Sequence, residues 1–262
     1  VLLKDMQIAL PSHPTQRRIA DILSAYDDLI ENNKRRIRIL EQMAQAIYQE
    51  WFGKVDKDSL PMGWESTTVE NAFETLGGGT PSTKNSDFWD SGDINWYSPN
   101  NLTANNAMFI RSSAKQITKK GLDNSSAKMF PPYCVMMTSR ATIGVVSINT
   151  TEACTNQGFI TCIPNEKVSL YQIYFWILNN LDKIDNVASG ATFKEITRGN
   201  FRKFDFIIPD ETTKKKFDKI MLPIGRQIEF LLEKNANLRQ TRDLLLPRLV
   251  SGDILVEGQE NA

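Results

Sequence analysis

The sequence predicts an α+β protein: one mixed α/β domain flanked by two long helices that pair as an antiparallel coiled coil. Three observations carry this prediction. Ile19, Leu23, Tyr26, Ile30, Asn33, Ile37, Leu40, Ala44, Ile47 and Trp51 follow one another at spacings of three or four, which keeps one stripe facing a partner along a left-handed coiled coil. Adding 198 to each number gives Phe217, Met221, Ile224, Ile228, Leu231, Asn235, Leu238, Arg242, Leu245 and Leu249, again mostly apolar and with no gap. The leads match too, Ile8-Ala-Leu-Pro11 with Phe206-Ile-Ile-Pro209 and Thr15-Gln-Arg-Arg18 with Thr213-Lys-Lys-Lys216. Between the two copies the residues change character and become rich in strand formers.

Taken in order, residues 1–11 read as a strand or the end of a missing preceding domain, stopped by Pro11. Ser12 caps the first long helix, 12–53, and Gly53 ends it. Residues 54–63 are a polar linker with Pro61 and Gly63 as breakers. The mixed domain is placed at 54–208. A short helix is expected at 68–75, and strands at 94–97, 134–138, 143–148, 159–163 and 204–208, where β-branched and aromatic residues gather. Ser169 caps a helix over 170–181, whose Tyr171, Tyr174, Phe175 and Leu178 form an apolar face read as core packing rather than a base-stacking platform. Asp210 caps the second long helix, 209–252, in which Pro223 should kink the helix or delay its start. Residues 253–262 are a tail.

At 262 residues, 41% apolar and 24% charged, the composition is that of an ordinary globular protein. No run approaches the roughly 18 apolar residues of a membrane span. No signal peptide is visible, and Val1 in place of Met suggests a fragment or a processed chain. Cys134, Cys154 and Cys162 are odd in number and lack C-x-x-C spacing, and His13 is the single histidine. A zinc site or a disulfide framework is therefore not expected, and a reducing cytoplasm fits.

Net charge is zero, but its distribution is uneven. Residues 62–93 set six acidic side chains against Lys84, whereas 110–140 set six basic ones against Asp123. The second long helix carries nine basic and four acidic residues over 214–249. Basic faces suited to phosphates are compatible with this pattern, as are scattered solvated charges.

Catalytic motifs find little support. Phe130-Pro-Pro-Tyr133 resembles the Asn/Asp-Pro-Pro-Tyr box of adenine-N6 methyltransferases, but Phe130 cannot accept a hydrogen bond from an adenine amino group, so a turn is the better reading. Gly77-Gly-Gly79 lacks the Gly-Lys-Ser/Thr of a phosphate-binding loop. His13 has no candidate Cys or Ser partner.

In order along the chain, several short motifs resemble the specificity subunit of a type I restriction–modification system. They are Leu10-Pro-Ser-His-Pro-Thr-Gln-Arg-Arg-Ile-Ala-Asp-Ile-Leu23, Trp51-Phe52, Leu60-Pro-Met-Gly-Trp64, Gly79-Thr-Pro-Ser82, Ser139-Arg-Ala-Thr-Ile-Gly144, Thr155-Asn-Gln-Gly-Phe159 and Leu244-Leu-Leu-Pro-Arg-Leu-Val-Ser-Gly-Asp-Ile254. The resemblance implies a non-catalytic subunit that recognises double-stranded DNA and directs adenine methylation and cleavage by its partners. Those partners are modification subunits carrying S-adenosylmethionine and restriction subunits using ATP and Mg2+, in a prokaryotic cytoplasm. This chain would hold no cofactor and no metal. A full subunit of that family alternates two target-recognition domains with two helices. One reader is visible here, so the chain resembles a half-subunit, acting with a second copy of itself, or a fragment. An assembly segment without DNA binding, or a stand-alone adenine methyltransferase, are the alternatives.

For DNA contact the polar loop residues Thr80, Ser82, Lys84, Asn85, Ser139, Arg140, Asn156, Gln157, Thr192 and Lys194 are the base-reading candidates, because Arg pairs with guanine and Asn or Gln with adenine. Lys119, Lys120 and Arg198 are the phosphate candidates. For the helix pair the interface candidates are Tyr26, Ile30, Asn33, Ile37, Leu40 and Ile47 against Ile228, Leu231, Asn235, Leu238 and Leu245. In an antiparallel register Asn33 meets Asn235, and the two amides either bond to each other or are solvated or bonded to backbone. Arg242 in the stripe is tolerable near an end, where its head reaches water. A stripe of roughly 37 residues is about 55 Å long, or about 16 base pairs of duplex. That length suits fixing the spacer between two half-sites.

Overall fold

Helix α1, His13–Tyr48, starts directly after its expected cap, Ser12, and ahead of the stripe that begins at Ile19. The Thr15 amide donates to the Ser12 hydroxyl (3.4 Å) and Gln16 N–H to the Ser12 carbonyl (2.8 Å). The helix continues as one π-helical turn, Gln49–Gly53. The computed structural model describes residues 11–190 and 194–256, so the expected N-terminal strand at 1–10 and the end of the tail lie outside the described residues. Helix α8, Glu211–Ser251, is capped as expected, with the Asp210 carboxylate accepting from the Thr212 and Thr213 amides at 3.0 and 3.1 Å. The chain forms two units, one of residues up to 42 and from 226 onward, the other spanning 43–225. Both long helices contribute to both units, whereas the sequence reading placed boundaries at the helix ends.

In the first unit α1 and α8 run antiparallel: Ile19 clusters with Leu249, Asp27 pairs with Arg242, and Asn33 bonds to Asn235. Ile19, Ile30, Asn33, Ile37, Ile228, Leu231, Asn235 and Leu249 are buried, and Leu23, Tyr26, Leu40, Leu238 and Leu245 are half-buried. Each fully buried Ile or Leu contributes about 1.5–3 kcal/mol. The amide pair is the one formed by Asn33 Nδ2 donating to Asn235 Oδ1 at 2.9 Å, with both residues under 5% exposed. Arg242 is half-buried and reaches Asp27 across the helix pair and Asp243 on its own helix.

The second unit holds three sheets. Their strands are β1 (Glu65–Thr68), β2 (Glu74–Gly77), β3 (Ile94–Tyr97), β4 (Phe109–Ile110), β5 (Lys115–Ile117), β6 (Val135–Thr138), β7 (Val146–Asn149), β8 (Ala153–Thr155), β9 (Phe159–Ile163) and β10 (Asp205–Ile208). The five-stranded sheet has the order β2-β9-β6-β7-β4, the three-stranded one β5-β3-β8, and β1 pairs with β10. The smaller helices are α2 (Val69–Ala72), α3 (Pro99–Asn105), α4 (Lys119–Asp123), α5 (Leu170–Asn179), α6 (Leu181–Val187) and α7 (Arg198–Phe201). Strands β6, β7 and β8 are buried at every position. Helix α5 is buried from Tyr171 to Ile177, so its aromatic residues are core, as expected. Phe217, fully buried, sits among the rings of Tyr48, Trp51 and Phe52 at centroid distances of 6.4, 5.9 and 5.0 Å.

Four expectations change. The helix expected at 68–75 stops at Ala72, because Phe73 turns extended to pack on Phe206 and Thr75 pairs with Cys162 in the sheet. The strand expected at 143–148 begins at Val146, since Gly144 and Val145 donate to the Thr138 carbonyl and hydroxyl and form a turn. Pro223 does not delay α8, whose first turns are held by the Asp210 cap and by fully buried Phe217 and Met221. At the end of α1 the buried line passes through Ala44, Tyr48 and Phe52, leaving Ile47 half-buried. The last step, from Tyr48 to Phe52, runs into the π-helical turn, which holds more residues per turn than the α-helix and departs from the coiled-coil repeat.

Candidate nucleic-acid interface

The five-stranded sheet brings distant loops to one end. Thr138 pairs with Phe159, Gly77 with Ile160 and Met137 with Val146. The C-terminal ends of β2 and β6 and the N-terminal ends of β7 and β9 therefore lie together. The loops at that end hold Thr80 and Ser82, Ser139 and Arg140, and Asn156 and Gln157.

Close backbone packing fixes these loops. A Cβ on Gly78 would lie 2.2 Å from the Thr155 and Asn156 carbonyl oxygens, and one on Gly79 would lie 2.5 Å from the Ala127 nitrogen. Glycine is what allows the loop to lie against its neighbours. The Gly79 amide donates to the Thr155 carbonyl (2.8 Å), and the Thr80 hydroxyl to Gln157 Oε1 (2.7 Å). Two indoles hold the same loop from beneath: Trp96 Nε1 donates to the Gly79 carbonyl (2.9 Å) and Trp89 Nε1 to the Ser82 carbonyl (3.1 Å). The Asn156 side chain accepts from Gly158 N–H (2.8 Å).

Ser139 is 2% exposed, its amide bonded to the Gly158 carbonyl and its carbonyl to Ile196 N–H. It braces the cluster and has no surface for a base edge, which corrects its place among the base readers. Arg140, next to it, is 45% exposed, and its Nε donates to Glu195 Oε1 at 2.8 Å. The two residues also form a backbone bridge. Ala141 follows with φ of 59° and donates to the Lys194 carbonyl (3.1 Å). A left-handed conformation at a non-glycine residue costs about 1–2 kcal/mol, and here the bonds on either side hold it. The Lys194 ammonium pairs with Asp185 (2.5 Å). Thr192 lies outside the described residues.

Lys84, Asn85, Lys119 and Lys120 form a second group. The Asn85 side chain caps the turn Ser86–Phe88 by accepting from Asp87 N–H (3.2 Å). Lys120 pairs with Asp87 (2.6 Å) and Lys119 with Asp123 (2.6 Å), so neither ammonium carries its full charge outward. The Lys120 hydrogen bond and charge hold the Asp87 carboxyl below the usual carboxylate range. Lys84 is exposed and in no ion pair among the described residues. Arg198, at the start of α7, borders a polar cleft of about 470 Å³ lined also by Glu70, Glu74, Asn165 and Arg202, with Arg202 tied to Glu70 at 2.6 Å.

The sequence reading missed Trp89, Trp96 and Glu195, which shape the loops without reaching for a ligand themselves. Two tryptophans seven residues apart beside a glycine-rich loop were a visible signal; Glu195 carried none. Phe130 is 2% exposed and pairs through its backbone with Ala153, and Phe130-Pro-Pro-Tyr133 is a bend between α4 and β6. The three cysteines are buried, and burial pushes the Cys134 and Cys154 thiols up to about 12 and the Cys162 thiol up as well, which suits packing rather than nucleophilic attack. Among the described residues no group of three or more His, Cys, Asp or Glu is placed to hold a metal, and no helix is long and apolar enough to cross a membrane.

Residues 61–240, which contain the whole loop cluster, match the model of the Type I restriction modification DNA specificity domain. The chain belongs to that family. A specificity subunit of the type I restriction enzyme MjaIX from Methanocaldococcus jannaschii is 28% identical over 76% of this chain and 46% of its own length. The HindI specificity subunit of Haemophilus influenzae is 24% identical over 96% of this chain and 70% of its own. Two crystal structures share the fold. The HsdS subunit from Thermoanaerobacter tengcongensis has a TM-score of 0.53 at 17% identity, over 93% of this chain and 60% of that one. The S subunit from M. genitalium has a TM-score of 0.61 at 14% identity, over 91% and 61%. The chain thus spans about half the length of the first of these relatives and about three fifths of the two solved subunits.

Proposed function

We propose that the chain reads double-stranded DNA as the specificity component of a type I restriction–modification complex and is itself non-catalytic. The observation that supports this best is the loop cluster at one end of the five-stranded sheet. Within the family-matching region, it sets a guanidinium, two carboxamides and two hydroxyls on backbone fixed by glycine packing and indole bonds. Rigidly supported polar groups of these types are what base edges in a groove require. Exposed Arg198 supplies phosphate contact, with Lys119 and Lys120 contributing once DNA draws them from their carboxylates, and exposed Lys84 stays with the base readers.

The chain directs adenine methylation by modification subunits and cleavage by restriction subunits, in the cytoplasm of a prokaryote. It brings no cofactor; S-adenosylmethionine belongs to the modification subunits, ATP and Mg2+ to the restriction subunits. On the helix pair of the first unit, Ile22, Leu29, Ile39, Phe230, Leu244 and Leu246 are between 37% and 63% exposed. Docking by modification subunits would cover these side chains. Acting as a half-subunit, two copies of this chain would read an inverted repeat.

Co-expression with modification subunits, followed by genome-wide mapping of methylated adenines, tests this. The expected result is methylation within one interrupted palindrome. A complex that assembles yet leaves adenines unmodified, or modifies them without sequence preference, would contradict it.

A further inference from the structure

We infer that Glu195 is a positioning residue for DNA reading: it holds Arg140 so that the Nη edge of the guanidinium is presented to a guanine. The inference rests on the DNA-reading proposal above and adds to it a residue that does not itself touch the base. Three features of the structure carry it. The side-chain bond uses Arg140 Nε, which leaves Nη1 and Nη2 as the donors for a ligand, and guanine offers O6 and N7 as two adjacent acceptors. The two residues are bridged through their backbones, so the carboxylate and the guanidinium start from directly opposed positions. That bridge is made by Ile196 N–H donating to the Ser139 carbonyl and Ala141 N–H donating to the Lys194 carbonyl. Ala141 adopts a left-handed φ of 59° directly after Arg140, and strain of this kind persists where the surrounding structure imposes it.

The physical gain is pre-organisation. A free arginine loses substantial rotamer entropy on fixing its head against a base, and a side chain already fixed loses less. The carboxylate has an opposite effect on any duplex, because it repels phosphates within about 10 Å at ordinary salt. The two roles therefore predict opposite signs when the carboxylate is removed. A mere surface charge, once lost, strengthens binding to every duplex. A positioning group, once lost, weakens binding to the cognate duplex and leaves other duplexes unchanged or more tightly bound.

The test uses the chain with its modification subunits, the duplex found by methylation mapping, and a scrambled duplex of equal length. Glu195→Ala should lower affinity for the mapped duplex about tenfold and not lower it for the scrambled one. Glu195→Gln keeps an oxygen that accepts from Nε and should retain most of the cognate affinity. The double variant Arg140→Ala/Glu195→Ala should bind the mapped duplex no worse than Arg140→Ala alone. Circular dichroism melting checks that the fold survives each change. Equal strengthening on both duplexes, or single losses that add in the double variant, would overturn the positioning role while leaving DNA reading intact. A wild-type complex that does not distinguish the two duplexes would overturn both.

Discussion

The helix pair and the loop cluster are specified by opposite means. In the helix pair, identity matters by class: any apolar side chain of suitable size at every third or fourth residue keeps the stripe buried, and one polar layer, Asn33 with Asn235, sets register. In the loop cluster, identity matters atom by atom. Gly78 and Gly79 are there because a methyl group would collide with backbone, Ser139 because its neighbours need its backbone at 2% exposure, and Arg140 because Glu195 meets its Nε. The first plan tolerates variation along its length, and the second concentrates its requirements in a few side chains.

The largest effect should come from the apolar plan. Phe217→Ala empties a fully buried position ringed by Tyr48, Trp51 and Phe52 and should cost about 3–5 kcal/mol, read as a lower urea midpoint. A loss below about 1 kcal/mol would mean that the aromatic cluster is not packed as described. Next comes the polar layer. Asn33→Ala leaves the Asn235 carboxamide buried without its partner and should cost about 1–3 kcal/mol, whereas leucine at both positions should be near neutral or stabilising. If the double leucine variant is the less stable of the two, the amide pair contributes more than register.

Arg140→Ala separates the two plans most cleanly. It should leave the melting curve almost unchanged yet weaken binding to the cognate duplex by about 1–3 kcal/mol, with little change on scrambled DNA. Equal weakening on both would make Arg140 a phosphate contact. The smallest effect concerns acid. Asp210 accepts from the Thr213 hydroxyl and amide, the Trp64 indole and the Thr212 amide, and these bonds hold its carboxyl below the usual range. Its stabilising contribution is complete above the ordinary carboxylate range and disappears as pH falls through the lowered folded value. Asp210→Asn should flatten the acid limb of a stability–pH curve, and an unchanged limb would remove this cap from the account.

The helices were legible because helix burial is periodic. A stripe recurring after 198 residues gives the two long helices, their caps at Ser12 and Asp210, and the Asn33–Asn235 layer. The strands at 94–97 and 159–163 were legible because β-branched and aromatic residues gather in them. What stayed hidden depends on long-range pairing. β1, Glu65–Thr68, is polar and exists because β10 pairs with it; β5, Lys115–Ile117, exists because β3 does. In the candidate site, the types of residue were legible but their surroundings were not. Nothing in Thr-Ser-Arg-Ala-Thr marks Ser139 as buried and Arg140 as exposed, and nothing joins Arg140 to Glu195 across 54 intervening residues. The pairing of Lys120 with Asp87 likewise depends on α4 packing against the turn Ser86–Phe88.

The central claim is that this chain selects a DNA sequence through the loop cluster. Selection from a pool of randomised duplexes, using the chain with its modification subunits, tests it most directly. The account predicts enrichment of one short motif containing a guanine, with that guanine alone losing its enrichment in the Arg140→Ala complex. A pool that stays random with the wild-type complex, or a motif that survives unchanged in Arg140→Ala, would contradict it.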